Sequence, residues 1–172
     1  TSPLNEYGRS KLAAESLVLN RNPEALIIRT NFFGFGSPSR ETFSDWIVNE
    51  ISSGREIGAF TDVFFTPVFT GTLIRVLKDL AYAGSTGVVN IASGERVSKM
   101  QFALDVARAF GLRVELIRPT RFQDRSDLCN RPTNMGLDIS KLTQIVGFAL
   151  PTLQEDIQTY ASLSTPRTME RS

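Results

Sequence analysis

No histidine occurs anywhere in the 172 residues. That excludes a Ser-His-Asp or Cys-His hydrolase assembled from this chain, and a catalytic zinc centre is not expected without imidazole ligands. Acid–base chemistry must fall to Tyr, Lys, Asp, Glu or Cys. Cysteine is nearly absent as well: Cys129 stands alone, so no internal disulfide can form, and a reducing, cytoplasmic setting is the expectation. Net charge is small, 19 Lys and Arg against 18 Asp and Glu, which supplies no basic field for nucleic acid or for an anionic membrane surface. No apolar run approaches the ~20 residues that a bilayer-spanning helix needs. Thr1 to Gly8 lack the charged-then-apolar pattern of a signal peptide, and no repeat or low-complexity segment is visible.

What is present is a globular composition, 41% hydrophobic and 22% charged, in which helical and strand-like segments alternate. From Tyr7 to about Asn20, Leu12, Ala13, Ala14, Leu17 and Val18 recur at one-turn spacing among good helix formers, and Asn22-Pro23 stops the helix. Ala25 to Ile28 is a short apolar run without alternation, as in a parallel strand covered on both faces. An irregular stretch from Asn31 to Arg40 leads to a helix over Thr42 to Ser53, with Phe43, Trp46, Ile47 and Ile51 on one stripe. Thr66-Pro67 precedes a helix carrying Leu73, Val76, Leu77 and Leu80, and Gly87 to Ala92 is a second buried-type strand. Ser98 and Gln101 form a capping-box pattern before a helix with Ala103, Val106, Ala107 and Phe110, which Gly111 ends. Arg113 to Ile117 reads as a third strand and Arg118 to Asn134 as a polar loop. Asp138 or Ser140 starts a short helix to Val146, and Thr152 with Glu155 starts a last one carrying Leu153, Ile157, Tyr160 and Ala161.

Strands alternating with helices predict an α/β architecture. Only three or four strands are visible, and a parallel sheet that small leaves its edges open. The expectation is the end of a larger sheet.

One pair of residues carries chemistry. Tyr7 and Lys11 stand four apart on the first helix, hence on one face with Cβ atoms roughly 5–6 Å apart. A free phenol, with a pKa near ~10, is a poor acid or base at neutral pH, and a neighbouring ammonium favours the phenolate. Such a tyrosine can give a proton to a carbonyl oxygen as hydride reaches its carbon. A bare Y-x-x-x-K is common by chance, with the tyrosine packed and the lysine solvated. Here the pair comes with Pro3, Gly8, Ser10 and Glu15 at fixed offsets.

That set resembles the extended short-chain dehydrogenase/reductase signature P-x-x-x-Y-G-x-S-K-x-x-x-E. The resemblance runs from Pro3 to about Tyr160 and is to the dTDP-4-dehydrorhamnose reductase branch of the NAD-dependent epimerase/dehydratase superfamily. Leu26 to Gly34 is similar to the strand and active-site loop after the catalytic helix. Phe60-Thr61-Asp62 with Thr66-Pro67-Val68, Val89 to Glu95, Arg131-Pro132-Thr133-Asn134 and Leu137 to Leu142 resemble its later blocks, in order.

The resemblance implies a C-terminal part of a Rossmann-type parallel sheet plus a small α/β substrate-binding lobe. Residues 1–30 and 66–92 would belong to the sheet layer, 31–65 and 93–160 to the lobe, and 161–172 to a frayed tail. It implies NAD or NADP as cofactor in the full-length protein, a nucleotide-sugar substrate, and reduction of a 4-keto deoxysugar nucleotide in surface polysaccharide synthesis, with room for a homodimer. Tyr7 would be the general acid/base, and Lys11 would bind the nicotinamide ribose beside Tyr7 and Thr30. Asn31, Phe32, Arg131 and Asn134 would meet the substrate. No metal is implied. The alternative for Phe32 is plain core packing, and Trp is frequent at this position of the branch. Arg118, Arg121 and Arg125 interleave with Asp124 and Asp127, the pattern of a solvated mixed-charge loop.

The family's upstream Ser or Thr and its Gly-rich pyrophosphate turn are not in these residues. Gly34-Phe35-Gly36-Ser37-Pro38-Ser39 lacks a third glycine and is no substitute. The expectation is therefore a chain inactive by itself, lacking an N-terminal Rossmann portion. A related epimerase or dehydratase, or a non-catalytic regulatory or binding subunit of the same fold, are the alternative readings.

Overall fold

A computed structural model describes residues 5–37, 39–125 and 132–164. In chain order they form helix α1 (Glu6–Arg21), strands β1 (Leu26–Thr30) and β2 (Phe32–Phe33), helix α2 (Phe43–Ser52), strands β3 (Ile57–Phe60), β4 (Phe64–Phe65) and β5 (Val68–Phe69), and helix α3 (Thr70–Tyr82). Strands β6 (Gly87–Ile91) and β7 (Val97–Ser98), helix α4 (Lys99–Ala109), strands β8 (Ile117–Thr120) and β9 (Asn134–Met135), and helices α5 (Ser140–Val146) and α6 (Leu153–Ser164) follow.

The fold is mixed α/β. β1 and β6 pair in parallel with Leu26 opposite Gly87 and Thr30 opposite Ile91. β2 pairs with β5 and β3 with β8, both parallel, while β4 lies between antiparallel β7 and parallel β9. Two apolar cores result. Val76, Leu80, Val89, Ile91 and Leu142 are buried where α3 and α5 cover the β1–β6 pair. The larger core gathers Phe33, Ile47, Phe65, Phe69, Phe102, Val106, Ile157 and Tyr160 from α2, α4, α6 and the short strands. Phe102 sits at its centre, with ring centroids 5.2 Å from both Phe33 and Phe65.

Local signals explain most element ends. The Asn5 side chain accepts the Gly8 amide at 2.9 Å and opens α1, and Thr42 does the same for α2 through the Asp45 amide at 3.1 Å. Thr152 and Glu155 form a reciprocal capping box at α6: the Thr152 amide donates to Glu155 at 2.8 Å and the Glu155 amide to Thr152 Oγ1 at 3.2 Å. At α4 only half of the expected box forms. Ser98 Oγ accepts the Gln101 amide at 3.0 Å, but the Gln101 side chain turns down its own helix to Asp105 at 2.9 Å.

Two further expectations are corrected. Val114–Leu116 is a 3-10 turn, and the strand begins only at Ile117 and runs through Pro119 to Thr120. β8 has β3 as its one ladder partner among the described residues, so Pro119 falls on an edge strand, where a missing N–H is tolerated. The segment expected as a polar loop therefore holds part of β8 and, at its far end, β9. The short strands β2, β4, β5, β7 and β9 carry two residues each, too few to show periodicity in sequence. Of the expected frayed tail, residues 161–164 instead continue α6, and the rest lies outside the described residues.

Candidate active site

α1 presents Tyr7 and Lys11 together. Tyr7 is 71% exposed, and the Lys11 ammonium lies 5.5 Å from the Tyr7 ring centroid. Neither the phenol nor the ammonium has a hydrogen-bond or ion-pair partner among the described residues. No residue of α1 is buried. What ties the helix down is Glu15, the last member of the motif, which accepts from Arg29 Nε at 2.9 Å and Arg29 Nη2 at 2.5 Å. Hydrogen bonding to this guanidinium holds the Glu15 carboxyl below the usual carboxylate range, against the opposing effect of burial. Arg29 belongs to β1, so the pair fixes the Tyr7–Lys11 helix to the strand that leads to the rest of the site.

At the end of β1, Thr30 Oγ1 is a buried polar atom without a partner among the described residues, as is Asn90 Oδ1 on neighbouring β6. Buried hydroxyls without a partner are uncommon and costly. Asn31 follows. Its Nδ2 donates to the Met135 carbonyl at 2.7 Å and points to Thr66 Oγ1 at 3.5 Å, and Thr66 Oγ1 accepts the Leu137 amide at 3.1 Å. The Asn31 carbonyl accepts the Val68 amide at 2.9 Å. Asn31 thus joins β1, β5 and β9 at one junction. Phe32 is 57% exposed beside it, whereas Phe33 is 2% exposed and supplies the core contact. Strand alternation turns one ring out and the other in.

Asn134 lies on β9 at the same junction. Its Oδ1 accepts from Arg96 Nε at 3.1 Å and from the Gly136 amide at 3.2 Å. The Arg96 guanidinium carbon stands 4.0 Å from the Phe64 ring centroid. Arg131 lies outside the described residues. Arg118 pairs with Glu56 at 2.5 Å, and Arg121 donates to Gln123 at 3.0 Å; both contacts are exposed and surface-local. Sequence reasoning passed over Arg96 altogether, because a single arginine after Gly94-Glu95 carries no spacing signal.

The Gly34–Gly36 stretch has a different role from phosphate binding. The Gly34 amide donates to Ser44 Oγ at 3.0 Å and the Gly36 amide to Asp45 at 2.5 Å. Asp45 also accepts the Tyr160 hydroxyl at 2.7 Å. These amides are already taken by the first turn of α2. Gly34, at φ 132°, has a backbone that side-chain-bearing residues rarely adopt, and a Cβ there would meet Thr70 Oγ1 at 2.4 Å. The glycines serve close packing.

A second cation stands apart from this junction. Lys99, at the first turn of α4, places its ammonium 3.5 Å from the Phe65 ring centroid and 4.4 Å from that of Phe43. Burial lowers its pKa to about 8. Among the described residues no group of three or more His, Cys, Asp or Glu is placed to hold a metal ion, and no helix is long and apolar enough to cross a membrane.

Comparison with known proteins gives these residues a setting. The family model of the RmlD substrate binding domain matches residues 1–165. The probable low-salt glycan biosynthesis reductase Agl14 of Haloferax volcanii is 31% identical over 159 residues, covering 91% of this chain and 53% of that protein. The dTDP-4-dehydrorhamnose reductase of Mycolicibacterium smegmatis is 30% identical over 123 residues, covering 69% of this chain and 36% of that protein. The crystal structure of a Bacillus anthracis dTDP-4-dehydrorhamnose reductase in complex with NADP superposes with a TM-score of 0.84 at 19% identity, over 95% of this chain and 56% of that one. That likeness shows the fold. The chain spans about half the length of Agl14. With the match extending over nearly all of its residues, the chain belongs to the RmlD substrate binding domain family, within the NAD-dependent epimerase/dehydratase superfamily.

Proposed function

We propose that the protein containing this chain reduces the 4-keto group of a deoxysugar nucleotide with NADH or NADPH, as in dTDP-4-dehydrorhamnose reduction, for surface polysaccharide synthesis. The observation that carries this reading is the exposed Tyr7–Lys11 pair on a helix that Glu15 and Arg29 hold against β1. When bound, the nicotinamide supplies the hydride. Tyr7 delivers a proton from its hydroxyl to the carbonyl oxygen, so that the ketone becomes an alcohol. Lys11 binds the nicotinamide ribose and keeps positive charge beside the phenol. Thr30 fits the same end of the cofactor, because its buried hydroxyl has no partner among the described residues.

Asn31 and Phe32 would form the sugar side of the site, and Asn134 would face the nucleotide. Phe32 offers an apolar wall without the N–H that an indole would add. The β1–β6 layer with α1 and α3 would carry the cofactor end. The larger aromatic core would belong to the substrate lobe. The Gly34–Gly36 turn offers no free amides for a pyrophosphate, since those of Gly34 and Gly36 are occupied.

The test is turnover of dTDP-4-keto-6-deoxysugar by the full-length protein with NADPH or NADH. Tyr7→Phe should lower kcat by about 100- to 10,000-fold while leaving nucleotide-sugar binding intact. An undiminished kcat in Tyr7→Phe would remove the assignment.

A further inference from the structure

We propose that Arg96 is a specificity-determining residue that binds the diphosphate of the nucleotide sugar. The inference rests on the reading that this lobe receives such a substrate, and it adds a cation that the motif comparison did not supply.

Three contacts hold the guanidinium in place. Its plane-bearing carbon lies 4.0 Å from the Phe64 ring centroid, close enough for face stacking. Its Nε donates to Asn134 Oδ1 at 3.1 Å. Its stem borders Gly136, where a Cβ would come within 3.5 Å of Arg96 Cδ, 3.2 Å of Asn134 Oδ1 and 3.9 Å of Thr66 Cγ2. Arg96, Asn134, Gly136 and Thr66 are therefore contiguous, and Thr66 is the residue to which the Asn31 amide points. The cation belongs to the same junction as Asn31 and Phe32.

Its remaining donors are unspent among the described residues. Arg96 forms no ion pair among the described residues, and the adjacent Glu95 is engaged by the Leu153 amide at 2.9 Å. With Nε fixed on a neutral amide and the ring beneath, the two terminal nitrogens are presented as a planar fork. That geometry suits two phosphate oxygens better than a single-point charge would. Arg29, Arg55 and Arg118, by contrast, are each paired with a carboxylate. Arg96 is instead ordered by neutral neighbours, which keeps its charge available to a ligand. Gly136 leaves the floor open where any side chain would crowd Asn134.

Calorimetric titration of the full-length protein with dTDP, thymidine, UDP and GDP tests this, using wild type, Arg96→Met and Arg96→Lys. Methionine preserves an apolar stem over Phe64, and matched thermal melts check that the fold is kept. The expected result is a dTDP affinity lowered roughly 10- to 100-fold in Arg96→Met, an intermediate loss in Arg96→Lys, and no change for thymidine. Equal dTDP binding by wild type and Arg96→Met, or an equal loss for thymidine, would overturn the role of Arg96 while leaving the reductase reading standing. Binding of UDP or GDP in place of dTDP would correct the nucleobase of that reading and move the same comparison to the nucleotide bound. Failure of wild type to bind any of the diphosphates would overturn both.

Discussion

Single residues in this chain divide between those spent on the fold and those left free for chemistry. Glu15 is spent on Arg29, and the Asn31 amide nitrogen on Met135. Among the described residues, Tyr7, Lys11 and Arg96 keep unpaired polar ends, and Thr30 keeps a buried one. Lys99 is different again. Its ammonium sits between two aromatic rings, and burial lowers its pKa from 10.5 to about 8. The unfolded chain holds that proton up to about 10.5, so between the two values the unfolded state binds more protons and stability rises with pH. Below pH 8 the charged form is carried at a cost, partly offset by the rings. Lys99→Met is therefore expected to stabilise the protein by about 1 kcal/mol at pH 7. Urea midpoints should also lose the rise that the wild type shows towards pH 10.

Elements here are held by contacts made at a distance along the chain. No residue of α1 is fully buried, and a bidentate pair ties the helix to β1. The Glu15 carboxyl is held below its ordinary range by the Arg29 guanidinium. That pair therefore contributes above the usual glutamate value, and its contribution is lost as pH falls through the lowered folded value. Glu15→Gln should speed amide hydrogen exchange along α1 by roughly fivefold at pH 7, equivalent to about 1 kcal/mol, with little effect on α4. Unchanged exchange in α1 would mean that something else anchors the helix.

α3 shows the same principle at its start. Its cap residue, Phe69, offers no side-chain acceptor. The cap comes instead from α6: Asp156, 2% exposed, accepts the Phe69 amide at 3.0 Å and the Thr72 hydroxyl at 2.6 Å. Burial pushes the Asp156 carboxyl up, against the pull of those two hydrogen bonds. Its proton linkage therefore favours the fold at low pH and fades as pH rises through the folded value. Asp156→Ala strands a buried amide and a buried hydroxyl, and a loss of about 2–4 kcal/mol in denaturant unfolding is expected. Asp156→Asn keeps one acceptor and should lose less.

At the scale of the molecule, the described residues gather into two apolar cores. The smaller one backs the β1–β6 pair, and the larger one supports the junction of β1, β5 and β9 through Phe33, Phe65 and Phe69. Neither offers a pyrophosphate seat among the described residues. Incubated by itself with NADPH and a dTDP-4-keto sugar, the chain is expected to oxidise no nicotinamide above background, as read from the absorbance of the reduced cofactor. Turnover by the chain alone would mean that it seats the cofactor by another route.

The sequence by itself determined the α/β class, the six described α-helices to within a few residues, the two strands of the β1–β6 pair, and the Tyr7–Lys11 motif. All of these are local signals: periodicity, capping residues and an i, i+4 spacing act over one or two turns. The short strands, the 3-10 turn before β8, the capping of α3 by Asp156 and the seat of Arg96 on Phe64 were decided by tertiary structure. Two-residue strands carry no period, and Asp156 is 84 residues from Thr72. Arg96 reaches Asn134 across 38 residues. Which donors remain free for a ligand is known only when distant acceptors have taken the others.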